Sequence, residues 1–468
     1  MPRRESSVCL EKPALAPHSS QVFPDAAACG NTIDMPASSI AEVRTAILQG
    51  QLRPTVLVRD FLARIGRYDD RIQAWVLVDA AGAIGQAEGI EAAIAAGRPP
   101  GPLAGVPIGV KDIFDVEGLP TRAGSPLTSP KPAAADAPAV ARLRGAGAIV
   151  LGKTVTTQFA CFDPPATRNP WNLAHTPGGS SSGSAAALAA GMCLAAIGSQ
   201  TGGSIVRPAA YCGVCGFKPT FDSISRSGVV PVSEHLDHVG PLARTVDDLR
   251  ILWEVMADPG VNRSPSAAAG GAPRLGVPQD FLREADPDVT RAVEQVIGLV
   301  ESRGAALTMV SLPADFEIVR AQHRTIMAFE AADYHQRTYG APRSGYAPNL
   351  AGLLAEGANI SRAKYQATLD EQQAFKQQMA AAFAGLDAWL MPATNTVAPG
   401  RLDTTGDPRF NSPWSYAGLP EVTFPCGLAP AGMPVGLQLV GPAGRDAEVL
   451  AHAAWCERQI GFDSVPQK

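Results

Sequence analysis

Three stretches of this chain carry residues whose types and spacing could do covalent chemistry. In Gly105-Val-Pro-Ile-Gly-Val-Lys111-Asp112 a lysine follows an apolar run that should be a buried strand or its edge. Burial disfavours an ammonium, so such a lysine falls from its usual pKa of about 10.4, and a neutral amine near pH 7 is a competent general base. A strand-end lysine reaching to water along its aliphatic stem is the ordinary alternative. Thr176-Pro-Gly-Gly-Ser180-Ser181-Ser182-Gly183-Ser184 precedes an alanine-rich run. Its glycines permit close backbone approach and its serines supply hydroxyls that can cap a helix. A phosphate cradle and a plain linker are the competing readings, although the loop lacks the G-K-[ST] ending of a P-loop and G-x-G-x-x-G spacing. The third stretch, Gly198 to Ala210, places Ser204 in a glycine turn whose backbone N–H groups are unobstructed, the layout of an oxyanion hole.

A serine nucleophile needs a base. Seven histidines are present, and His175, His235 and His238 are the ones near these loops. No G-x-S-x-G elbow accompanies them, so a Ser-His-Asp triad has little local support.

The elements that must position these groups alternate between helix and strand. Ser39 and Glu42 form a capping box opening a first helix, and Leu57, Phe61, Leu62 and Ile65 mark the apolar face of a second. Ala74–Val78 reads as a strand, 81–96 as an alanine-rich helix, 140–144 as helix, and Ala148–Leu151 as a buried strand. The pattern predicts an α/β fold with helices on both faces of a sheet. Asn262–Pro273 reads as a surface linker, and helical patterns dominate from 288 to 384. Residues 1–34 show no periodicity and read as a flexible N-terminal extension, with Met35 as an alternative start.

With 468 residues and 39 Lys+Arg against 44 Asp+Glu, the net charge is −5, which argues against nucleic acid or an anionic membrane as partner. The most apolar run, Ala185–Gly198, is too short to span a bilayer and reads as a buried helix running into a strand. Arg3 and Arg4 are followed by no apolar signal core, so a cytoplasmic location is expected. The eight cysteines lack framework spacing and read as reduced thiols. Cys212 and Cys215 read as packing residues, since no second pair completes a zinc site.

Taken together, G-V-P-I-G-V-K-D at 105–112, T-P-G-G-S-S-S-G-S-A-A-A at 176–187, T-G-G-S-I at 201–205 and C-G-V-C-G-F-K-P-T at 212–220 resemble the amidase signature hydrolases. The intervals agree as well, with 69 residues from Lys111 to Ser180 and 24 from Ser180 to Ser204. The likeness covers about residues 38 to 458. It implies one large domain over 35–468, with a central mixed β-sheet flanked by helices and a variable helical substrate-binding region at about 288–384. It also implies that Ser204 is the nucleophile and that Ser180, joined to Gly179 by a cis peptide bond, is the bridging serine. Lys111 is then the base, and backbone N–H groups of Thr201, Gly202, Gly203 and Ser204 form the oxyanion hole. Ser181 is expected to hold Lys111 by hydrogen bonding. No metal or organic cofactor is implied.

Departures from the family pattern bear on substrate. Gln200 and Gln158 stand where carboxylates are frequent, and Arg207 is one position later than the usual arginine. Substrate is expected to be read by Arg320–Tyr365 and by the loops Ala160–Thr167 and Asn411–Gly418, with Tyr334, Tyr346 and Trp414 lining an acyl or aryl pocket. The resulting expectation is hydrolysis of a small, uncharged or aromatic amide through an acyl-enzyme. A carbamate (urethane), aryl ester or anilide is the alternative within the same chemistry. Outside it, the alternative is one component of an amidotransferase, working only with a partner. A homodimer is an open assembly.

Overall fold

The chain enters its first helix through the capping box. The Glu42 N–H donates to Ser39 Oγ at 3.2 Å, while the Ser39 N–H donates to Glu42 Oε2 at 2.8 Å, satisfying two otherwise orphaned donors of the helix Ile40–Leu48. The computed structural model describes residues 38–98, 100–265, 270–340 and 344–466. The extension over 1–34 therefore lies outside the described residues, as does 266–269 of the expected linker.

Among the described residues the strands are β1 (Trp75–Val78), β2 (Pro107–Lys111), β3 (Ile149–Thr154), β4 (Ala195–Gln200), β5 (Cys215–Lys218), β6 (His238–Ala243), β7 (Arg274–Pro278), β8 (Ala306–Val310), β9 (Ala388–Pro392), β10 (Glu421–Leu428) and β11 (Pro434–Val440). They form one sheet in the order β1-β3-β2-β4-β6-β5-β10-β11-β9-β7-β8. The pairs β2/β3, β2/β4, β7/β8 and β7/β9 are parallel and the rest antiparallel, so the sheet is mixed. Every residue of β2, β3, β4, β6, β9 and β11 is buried, which requires helices over both faces. This is the α/β fold with helices on both faces that the alternating pattern predicts, and the single domain with a mixed sheet that the family likeness implies.

The helix Ser182–Ala189 is buried along its whole length, and its small residues are the reason it fits. A Cβ on Gly183 would fall 2.2 Å from the Ala74 carbonyl oxygen. The apolar run after Ala185 thus divides into this helix and β4, as its length demands. The stretch from 288 to 384 holds most of the helix Pro287–Ser302, β8, and the helices Phe316–Tyr339, Pro348–Ala358 and Arg362–Ala382. Cys212 and Cys215 are buried, and no described cysteine is in a disulfide. No helix among the described residues is long and apolar enough to cross a membrane.

Candidate active site

Parallel pairing brings Lys111 and the Thr201–Ser204 loop to the same end of neighbouring strands. Val110 of β2 lies opposite Ile197 of β4, so Lys111 ends its strand beside Ser199 and Gln200, which end theirs. Lys111 has no exposed surface and does not reach out to water. Its Nζ lies 2.7 Å from Ser180 Oγ, 2.9 Å from Ser199 Oγ and 3.4 Å from the Ser199 carbonyl oxygen. Burial pushes its pKa down to about 7, with the negative charge of Asp237 opposing that fall. The neighbouring Asp112 is committed elsewhere: it pairs with Lys153 Nζ at 2.9 Å, both side chains fully buried.

The Gly/Ser loop is neither a linker nor a phosphate cradle, because its hydroxyls are spent on protein partners. Ser182 Oγ donates to the Gly178 carbonyl at 2.7 Å, and Ser184 Oγ donates to the Ile197 carbonyl at 3.1 Å. The Gly179–Ser180 peptide bond is cis. Ser181, expected to bond Lys111, instead donates from Oγ to the Ser199 carbonyl at 3.3 Å. It therefore acts one step removed, and Ser199 takes the direct place on the lysine. Nothing in the linear pattern marks Ser199, which becomes visible only once β4 is aligned with β2.

Thr201–Ser204 links β4 to the helix Val206–Cys212 and is held from several sides. Gln200 Oε1 accepts the N–H groups of Ile205 and Val206 at 2.9 and 3.0 Å, while its Nε2 donates to Glu421 Oε2 at 2.8 Å. The carboxamide at 200 thus has a tertiary cause: an aspartate there would face the buried Glu421, whose own pKa burial pushes up to about 8. Ser415 Oγ donates to the Gly202 carbonyl at 2.9 Å, and His323 Nε2 lies 2.8 Å from the Thr201 carbonyl. Thr201 Oγ1 donates to Asp237 Oδ1 at 2.6 Å. A Cβ on Gly203 would lie 2.7 Å from Asn411 Oδ1, so only glycine lets the loop pack this closely.

The three histidines weighed as bases are engaged elsewhere. His175 Nδ1 lies 2.7 Å from the Ala398 carbonyl, His238 Nδ1 lies 2.7 Å from the Leu236 carbonyl, and His235 pairs with Glu330 at 2.5 Å.

Ser180, Ser204 and the Thr201–Gly203 loop line a cavity of about 220 Å³. Ala160–Phe162 and the helix Phe316–Tyr339 wall it, the latter through Arg320, His323, Arg324 and Met327. Tyr334, Tyr346 and Trp414, expected to line an acyl or aryl pocket, do not line this cavity. Trp414 is fully buried in the core against Phe281, Phe316 and Trp389, with its Nε1 donating to the Phe410 carbonyl. Tyr334 lines a different cavity, and Tyr346 lines a third, its hydroxyl 2.9 Å from His335 Nδ1. Gln158 is also outside, tying the Gly345 carbonyl and the Ala347 N–H to its carboxamide. The cavity's distinctive group is Arg207, only 5% exposed. Its Nη2 donates to the Gly179 carbonyl at 2.7 Å, whereas Nε and Nη1 have no hydrogen-bond partner among the described residues. Arg320, Arg324 and Arg409, by contrast, all pair with carboxylates.

A mixed α/β sheet that presents a buried lysine, two serines and a glycine-rich loop at one end of neighbouring strands has the layout of a hydrolase. The sequence profile described as Amidase matches residues 56–450. In Roseiflexus castenholzii, the A component of glutamyl-tRNA(Gln) amidotransferase is 36% identical, over 88% of this chain and 94% of that protein. A solved amidase structure superposes with a TM-score of 0.83 at 32% identity, covering 91% of this chain and all of that one. The peptide amidase of Stenotrophomonas maltophilia gives 0.80 at 29%, covering 92% and 98%. The chain belongs to the amidase family, the amidase signature enzymes, whose chemistry is hydrolysis of C–N bonds.

Proposed function

We propose that the chain hydrolyses a small amide whose acyl part carries a carboxylate, through an acyl-enzyme on Ser204. The observation that carries the chemistry is the fully buried Lys111 amine 2.7 Å from Ser180 Oγ in the wall of the cavity that Ser204 lines. Ser204 Oγ attacks the amide carbon as its proton passes to Ser180 Oγ, whose own proton passes to neutral Lys111. The oxyanion that forms faces the N–H groups of Thr201–Ser204. The C–N bond then breaks, the proton returns through Ser180 to the leaving amine, and water cleaves the resulting ester by the same relay. Arg207 supports an anionic acyl group because, among the described residues, it is the arginine lining this cavity that no carboxylate pairs, which leaves a buried positive charge beside the site.

The likeness to the amidotransferase component supports a second reading, in which glutamine is the amide and a partner protein takes the ammonia. Carbamates and anilides remain within reach of the same acyl-enzyme. Assay of the isolated chain on monoamides of short dicarboxylic acids, glutamine, benzamide, an alkyl carbamate and an anilide separates these. Highest kcat/KM on a monoamide supports the first reading, preference for glutamine supports the second, and turnover confined to neutral amides overturns the carboxylate assignment.

A further inference from the structure

Lys111 must become an ammonium each time it accepts a proton, and it does so where, among the described residues, it pairs with no carboxylate. Its hydrogen-bond partners are hydroxyls and a carbonyl of Ser180 and Ser199. A buried cation with only neutral contacts is costly, so a negative charge just beyond them governs how readily the proton is taken.

Asp237 stands there. It immediately precedes β6, whose pairing with β4 sets His238 opposite Gln200 and so brings Asp237 beside Thr201. Its Oδ1 accepts the Thr201 hydroxyl at 2.6 Å, and its Oδ2 accepts the N–H groups of Val232 and Ser233 at 2.8 and 3.0 Å. No ion pair to Asp237 is found among the described residues, so its charge is not cancelled in contact. Asp237 and Ser199, the latter bonded to Lys111, line one cavity of about 770 Å³. Val232, whose N–H Asp237 accepts, lines both this cavity and the one containing Ser204.

We propose that Asp237 is a positioning residue for the reaction: it pins Thr201 at the head of the oxyanion loop and supplies the negative charge against which Lys111 takes up its proton. This rests on the reading of Lys111 as the base. The other groups facing the region do not supply that charge. Cys161 is held as a thiol by burial, which pushes it up to about 12. His238 is kept neutral by burial and by Lys218. Arg226 is a cation engaged with Asp222, and Glu330 is bonded to His235, Ser233 and Tyr365. Asp112 and Lys153 pair with each other.

The test is the pH profile of kcat/KM. Asp237→Asn can keep every hydrogen bond, its Oδ1 accepting the two N–H groups and its Nδ2 donating to the Thr201 hydroxyl, while losing the charge. Activity needs neutral Lys111, so loss of a charge that favours the ammonium moves the acid limb down by about one pH unit and lowers the plateau about tenfold. Asp237→Glu restores the limb to its original pH. Thr201→Val removes the pin, lowering kcat, and remains informative if the asparagine variant does not fold. An unmoved limb in folded Asp237→Asn overturns the proposal, as does parental kcat in Thr201→Val. Lys111→Ala distinguishes the levels: an active Lys111→Ala fails the underlying mechanism, whereas an inactive one beside an unmoved Asp237→Asn limb fails this inference only.

Discussion

Replacing Lys111 with methionine should make the protein inactive and more stable, and the size of both effects follows from burial. A lysine ordinarily titrates near 10.5, whereas Lys111 titrates at about 7 because its charged form is stripped of water. That difference is worth about 5 kcal/mol. The sign follows from proton counting: between about pH 7 and 10.5 the unfolded chain holds a proton on Lys111 that the folded chain lacks, so stability rises with pH across that window. The penalty is absent above 10.5 and complete below 7. Methionine has a similar stem and no charge, so it removes the penalty while forfeiting the bonds to Ser180 and Ser199, at about 1 kcal/mol each. The net expectation is about 3 kcal/mol of added stability at pH 7, shrinking to nothing by about pH 9 and turning into a loss of about 2 kcal/mol above 10.5. Losing a general base costs about 10²- to 10⁴-fold in turnover. Denaturant melts of parent and variant at pH 7 and 9.5, with amide turnover measured alongside, test both. A variant less stable than the parent at pH 7, a stability gain independent of pH, or near-parental turnover would refute the reasoning.

Ser204→Ala should lower turnover by about 10³-fold or more without changing the melting profile, and Ser180→Ala should also be severely impaired; single-turnover assays with an activated anilide should show no acyl burst in the former. Arg207→Met should lower kcat/KM for carboxylate-bearing amides by about 10- to 100-fold relative to its effect on benzamide, and an equal loss on both substrates would deny it a role in recognition. Asp112→Asn leaves Lys153 buried without its counter-charge, so it should cost about 3 to 5 kcal/mol of stability, read as a lower denaturation midpoint; a loss below about 1 kcal/mol would show that the pair contributes little to the fold.

The parts of the site that could be read in advance are those in which neighbouring residues in the chain are neighbours in space. Lys111 closes an apolar run, Ser180 sits in a glycine-serine loop before a small-residue helix, and Ser204 follows a strand-ending turn. Each is a local arrangement with its own backbone logic, and the capping box at Ser39 and the α/β alternation are legible for the same reason.

Tertiary structure alone decided the rest, because burial and partnership are properties of packed surfaces rather than of composition. Trp414 and Tyr334 are equally aromatic in the sequence, yet one is sealed in the core and the other lines a cavity distinct from the one that holds Ser204. Gln200 looks like a lost charge until Glu421, from a strand more than two hundred residues away, is found accepting its amide N–H. Ser199 is one serine among many until β4 lies parallel to β2 and turns it onto Lys111. Arg207 is ordinary until folding buries it with two donors unmet. Chain order can single out Lys111 and Ser204 as candidates, but the water that is excluded from them, and the charges left facing them, depend on which distant segments close over the site.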